Sequence, residues 1–187
     1  MPTIFSHAIT AIPISFGFAE KINKRKIVIL SIIFSILLDL DGIGFQFGIK
    51  YNSLFGHRGF SHSLFFILIA SIVFIFLTSP KIKLKSKTGL LLFLNFFTIG
   101  TLHVVLDSMT NGGLGVALFS PFSNQRFFLP WRPIEVSAIL PQYFFQLDGL
   151  LVIKFELLYL ILPSIILSLA IVFFKNKKSK LSTNKNI

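Results

Sequence analysis

Seven side chains in this chain of 187 residues have the chemistry to share a divalent metal ion: His7, Asp39, Asp41, His57, His62, His103 and Asp107. They comprise all four of its histidines and three of its seven acidic residues. With no cysteine in the sequence, a thiolate site is excluded, and any ion must be held by imidazole nitrogens and carboxylate oxygens. That donor set suits zinc best, and manganese or iron as well. His103 and Asp107 are four apart, which stacks them on one face of a helix. Asp39 and Asp41 are two apart and cannot converge on a regular helix, so they are expected to meet where the chain unwinds ahead of Gly42, binding one ion or bridging two. His57-Arg58-Gly59-Phe60-Ser61-His62-Ser63 reads as a loop entering a helix, with Ser61 as the N-cap and Gly59 allowing close backbone approach. Seven candidates exceed the four ligands of a closed zinc site, so the set predicts two ions, or one ion with further groups that orient its ligands.

The elements that must position these residues are membrane spans. The chain is 53% hydrophobic and only 13% charged, more apolar than a soluble domain. Apolar segments cover Ile4 to Ala19, Ile27 to Leu38, Leu64 to Ser79, Gly89 to Asp107 and Leu150 to Phe174. This pattern predicts an all-α, polytopic bundle of four to five transmembrane helices forming a single domain over residues 1–174, with Pro163 kinking the last one. Residues 175–187 read as a disordered basic tail. Nothing at the N-terminus looks like a basic region followed by a cleavage site, so the first apolar stretch is expected to be retained.

The net charge of +11 suggests nucleic acid, but its placement excludes that reading. Thirteen of the eighteen Lys and Arg fall in three runs, Lys21 to Lys26, Lys81 to Lys87 and Lys175 to Lys185, each bordering an apolar segment, as cytoplasmic anchors do. Setting these runs in the cytoplasm predicts an outer N-terminus, a cytoplasmic C-terminus and two outer loops, Leu40 to Ser63 and Ser108 to Gly149. Phe127, Phe128, Trp131 and Arg132 in the second loop read as an interfacial belt. In this topology four separate segments bring the seven side chains to a similar depth, roughly 20 Å or more from the basic edges at 1.5 Å per residue. The 24 phenylalanines are assigned to lipid contact and helix packing.

Intramembrane charges cost roughly 2.5–3.5 kcal/mol each on insertion scales, and a bound cation compensates several at once. The set therefore predicts metal-assisted hydrolysis of an ester or phosphoester, with Asp41 or a free histidine as general base and His62 essential. Arg58 and Arg126 lie outside the basic runs and are expected to hold a substrate phosphate bidentately. A site in the outer half of the bilayer meets membrane lipid, so the expected substrate is lipid-like or phosphate-bearing. The competing reading is a metal-binding protein or metal-ion permease without hydrolytic activity, since intramembrane His and Asp also mark ion pathways. A permease needs a polar path onward, and Ile67 to Phe76 and Leu90 to Leu94 offer little beyond Ser71. Glu135, Asp148 and Glu156 carry no partner signal.

From His7 to about Trp131 the chain resembles a family of bacterial and archaeal inner-membrane proteins described as membrane-bound metal-dependent hydrolases, the YdjM-like group. The matching residues are Ser6-His7, Leu38-Asp39-Leu40-Asp41, the His57 to Ser63 element, Leu102-His103 with Asp107, Thr110-Asn111-Gly112-Gly113, and Ser120-Pro121-Phe122 with Arg126. The His-Arg-Gly-x-Ser-His-Ser element is the most specific of these. The family often has Thr before the first histidine and Pro before the first aspartate, where this chain has Ser6 and Leu38. The resemblance implies an inner-membrane, metal-dependent hydrolase.

Overall fold

A computed structural model describes residues 1–18, 23–137 and 147–184. Lys21, the loop segment 138–146 and the last three residues of the tail lie outside the described residues. The element order is α1 (Ile4–Phe18), α2 (Lys24–Leu37), a 3-10 helix (Leu38–Phe47), a short 3-10 turn (Phe60–His62), α3 (Leu64–Thr78), α4 (Lys87–Ser108), α5 (Leu147–Glu156), a π turn (Leu157–Ile161) and α6 (Leu162–Asn184). Among the described residues there are no strands, only isolated bridges at Thr110–Ile134 and Val116–Phe127.

Three stretches are long and apolar enough to cross a bilayer: Lys24–Phe47, Lys87–Ser108 and Gly149–Lys177. The second apolar segment, short in the sequence, gains its length because α2 does not unwind before Gly42. It tightens into the 3-10 helix and runs on to Phe47. The short elements are instead α1 and α3, 15 residues each or about 22 Å, below the roughly 20 residues a span needs. The last span is irregular beside Pro163, where the sequence predicts a kink. A π turn precedes Pro163, which has no N–H to donate and whose ring crowds the carbonyl of Tyr159, so the helix widens there. Helical backbone then continues through Lys175 to Asn184, where the sequence suggested a disordered tail.

Helix α4 shows why this chain folds around its polar residues. Ser86 caps it by accepting from the Gly89 N–H at 3.0 Å. Its buried face then runs Leu92, Asn95, Phe96, Ile99, Gly100, His103 and Asp107, the three- and four-residue spacing of one helical stripe. The lower part of that stripe packs with Ile27, Phe34, Phe74 and Ile75, and the rings of Phe34, Phe74 and Phe96 meet at centroid distances of 5.0–5.2 Å. Within this core the Asn95 amide donates to Ser31 at 2.9 Å, joining α4 to α2.

The basic ends gather at one end of the bundle. Lys26 Nζ donates to the Thr78 carbonyl at 3.1 Å, and Lys175 Nζ donates to the Phe16 carbonyl in the last turn of α1 at 2.7 Å. The stripe on α4 therefore leads from this basic end, through the apolar core, to His103 and Asp107 at the other end.

Candidate metal centre

Each of the seven side chains is brought to the end of the bundle opposite the lysines by a separate local cause. His7 lies in the first two turns of α1, whose carbonyl there accepts from Ser35 on α2 at 3.0 Å and from Thr10 at 3.1 Å. Asp39 and Asp41 ride on the 3-10 continuation of α2. His62 ends the short 3-10 turn before α3, and Ser63, not the expected Ser61, caps α3 by accepting from the Phe66 N–H at 3.1 Å. Ser61 is otherwise engaged: its hydroxyl donates to the Asp41 carboxylate. Gly59 lets the turn close, because a Cβ there would stand 2.4 Å from the Leu54 carbonyl oxygen.

The side chains converge tightly. His62 Nε2 lies 3.2 Å from His103 Nε2, 3.6 Å from Asp39 Oδ1 and 3.1 Å from Asp107 Oδ2. His103 Nε2 lies 3.4 Å from Asp39 Oδ1 and 3.7 Å from Asp107 Oδ2. Ligand atoms of a tetrahedral ion bound at 2.0–2.1 Å stand about 3.3–3.4 Å apart, so these separations bracket the value such an ion requires. His7 stacks on His103 with ring centroids 3.7 Å apart, and its Nε2 faces the other oxygens, 3.9 Å from Asp39 Oδ2 and 3.7 Å from Asp107 Oδ1. Two overlapping sets emerge, each with ligand atoms within 4.8 Å of one another: His7, Asp39, His103 and Asp107, and Asp39, His57 and His62.

The fit to a cation rests on what these atoms lack. Both nitrogens of His7, both oxygens of Asp39, His57 Nε2 and Asp107 Oδ2 are buried without a hydrogen-bond partner. A buried polar group left in that condition costs about 1–3 kcal/mol, and more when charged. Three carboxylates, the buried Asp39 and Asp107 and the half-buried Asp41, face one buried guanidinium, Arg58. With neutral imidazoles two negative charges stand uncompensated, the charge of one divalent cation.

Asp41 differs from the other candidates, because its oxygens are taken. Oδ1 lies 2.6 Å from His57 Nδ1. Oδ2 lies 2.9 Å from His62 Nδ1 and accepts from the Arg58 backbone N–H at 3.1 Å and from Ser61. Such an arrangement fixes both imidazoles with Nδ1 protonated and Nε2 free for a metal. A role as general base, which the sequence suggested for Asp41, would have to compete with these contacts.

The two arginines have partners within the protein rather than an open face. Arg58 is fully buried; its Nη2 donates to Asp107 Oδ1 at 3.0 Å and its Nη1 to the Gly112 carbonyl at 3.3 Å. Its backbone adopts φ 59°, a left-handed conformation costing about 1–2 kcal/mol. That turn lets the Arg58 N–H meet Asp41 while its side chain reaches Asp107. Arg126 donates to the carbonyl oxygens of Tyr51, Ser53, His57, Arg58 and Gly115 at 2.8–3.4 Å, and desolvation lowers its pKa from the ordinary value. Phosphate binding, expected of both from sequence, would have to compete with these contacts.

One functional neighbour escaped the sequence reading. Glu156, at the end of α5, is buried and accepts from the Thr3 N–H, from the Thr3 hydroxyl at 2.6 Å and from the Ser6 hydroxyl at 2.8 Å. It thus fixes the start of α1 immediately before His7. Its signal was an acidic residue inside an apolar segment. In the loop, Asn111 bonds to Glu135 at 2.7 Å, while Trp131 is exposed and Arg132 covers the Phe128 ring at 4.9 Å.

No solved structure matches the chain. Inner membrane protein YbcI of Escherichia coli (strain K12) is 35% identical over 168 residues, covering 89% of this chain and 95% of that protein. The family model described as YdjM inner membrane protein matches residues 1–179, which contain every side chain of the centre, and the chain belongs to that family of inner membrane proteins.

Proposed function

We propose that this protein is a membrane-bound, metal-dependent hydrolase acting on an ester or phosphoester of an amphipathic, lipid-like substrate. The observation that carries the reading is the convergence of buried, unpartnered imidazole and carboxylate atoms from α1, the 3-10 extension of α2, the α3 entry and α4. A divalent ion, zinc by its donor set, supplies Lewis acidity and a water activated at neutral pH. The chain's own residues do the rest. His7, Asp39, His57, His62, His103 and Asp107 would offer the ligand atoms, Asp41 holds the tautomers of His57 and His62, and Arg58 offsets the charge of Asp107. In the orientation we favour, the basic runs face the cytoplasm and the buried centre lies towards the outer side, beneath the outer-leaflet lipid.

Transport is the weaker reading. Between the centre and the lysines lies the packed core of Phe34, Phe74, Phe96 and Leu92, in which Asn95 donates to Ser31 while its own Oδ1 has no partner. That core offers a moving cation no continuous set of ligands.

The experiment is to purify the full chain with its metals into lipid nanodiscs, determine metal content, and assay hydrolysis of lipid esters and phosphoesters beside the His62→Ala variant. Wild-type turnover that disappears with His62→Ala and with chelator is expected. Equal turnover in both proteins, or no bound metal in the wild type, would sink the proposal. Metal uptake into sealed proteoliposomes would favour a permease instead.

A further inference from the structure

The number of unpartnered atoms exceeds what one ion can satisfy. An ion in the tetrahedron of His62, His103, Asp39 Oδ1 and Asp107 Oδ2 leaves His7 without any partner and His57 Nε2 bare, although both residues are 1% exposed or less. It also leaves no open position, and four protein ligands with none open is the arrangement of a structural ion, not of one that handles substrate. A different division removes both difficulties. His7 and His103 are stacked partners beside Asp107, whereas His57 and His62 are jointly held through Nδ1 by the two oxygens of Asp41. Asp39, with both oxygens unpartnered, is common to the two sets.

We infer that the centre takes two divalent cations that share Asp39: one bound with His7, His103 and Asp107, the other with His57 and His62. This rests on the metal-dependent reading above and goes beyond it. The first position has four protein ligands and is closed. The second has three and keeps a side open, so it is the position that meets substrate. Charge identifies the substrate class further. Two divalent ions turn the excess of two negative charges into an excess of two positive ones, which an anionic phosphoester balances. Arg58 and Arg126 are already committed to Asp107 and to backbone carbonyls, so the second ion is the cation that receives the phosphate.

The test is metal stoichiometry and manganese electron paramagnetic resonance on the full chain in nanodiscs, with and without inorganic phosphate. Two ions per chain with a spin-coupled spectrum are expected in the wild type. His57→Gln should retain one ion with an uncoupled spectrum, and so should His7→Gln, each retained ion also showing that the variant has folded. Phosphate should tighten the second ion in the wild type and leave the single ion of His57→Gln unchanged. One ion per chain in the wild type overturns the inference while leaving a metal centre in place, and no ion overturns the metal reading itself. Two ions in His57→Gln, or none, overturn the assignment of His57. Phosphate without effect on the second ion overturns the substrate class.

Discussion

Replacing Asp41 by Asn removes one oxygen and one charge while keeping the side chain's shape, and so separates a group that orients ligands from one that is a ligand. In the native protein two Nδ1–H groups point at this carboxylate, from His57 at 2.6 Å and His62 at 2.9 Å. The amide can accept from only one of them. Its NH2 faces the other, which must give up its Nδ1 proton to accept, placing a proton on Nε2 where the metal should bind. A charge-assisted hydrogen bond of this kind is worth about 1.5–3 kcal/mol. Loss of such outer partners typically weakens metal binding about 10–100-fold, or about 1.4–2.7 kcal/mol, the same range. The expected result is therefore a 10–100-fold weaker affinity for the ion that His62 holds, measured by competition with a chelator of known affinity in nanodiscs. The His62→Ala variant, which removes a ligand outright, should lose that ion altogether. Unchanged affinity in Asp41→Asn would refute the orienting role, and a loss as complete as that of His62→Ala would make Asp41 a ligand.

Three other perturbations test the surroundings. Glu156→Ala strips the Thr3 and Ser6 donors of their shared acceptor; at about 1–3 kcal/mol for the unsatisfied group and 2–4 °C per kcal/mol, the unfolding midpoint should fall by about 2–12 °C by scanning fluorimetry. Gly113→Ala forces a side chain onto φ 86° and puts its Cβ 2.8 Å from the Tyr51 hydroxyl and 3.2 Å from Arg58 Nη1, so stability should fall by about 1–2 kcal/mol with metal occupancy falling alongside. Acidification should release the metal, because the imidazoles must be neutral to bind. Protons compete with the ion for the same nitrogens, and dialysis at about pH 5 followed by elemental analysis checks it.

The sequence showed where the centre would form more clearly than how it is wired. Hydrophobic segments and lysine runs are long-range signals with strong physical causes, so the bundle and the common location of His7, Asp39, His62, His103 and Asp107 followed from them. The i, i+4 pair on α4 was legible because a helix has a fixed pitch. What stayed hidden depends on backbone detail that composition does not encode. Whether α2 unwinds or tightens after Leu38 decides that Asp39 faces the histidine cluster while Asp41 turns to their Nδ1 atoms. The φ of Arg58 decides that it pairs with Asp107. Glu156 was visible only as an unexplained acid, because its partners, Thr3 and Ser6, are about 150 residues away in the chain.

The position of Arg126 follows from the shortness of α1 and α3. Helices of about 22 Å are shorter than a hydrocarbon core of about 30 Å, and irregular backbone packs beyond them at the centre's end. Irregular backbone at such depth is tolerated only where its polar groups are satisfied within the protein. The Val116–Phe127 bridge and the bond from the Ala117 N–H to the Arg58 carbonyl meet part of that need. Arg126 meets more of it, since one guanidinium fork reaches five carbonyl oxygens drawn from three stretches of loop. A lysine would offer a point charge without the planar fork and could not span the same acceptors. The arginine that looked from sequence like a phosphate ligand is better explained as what holds the His57–Arg58 turn in place, and with it the imidazole and guanidinium of the candidate metal centre.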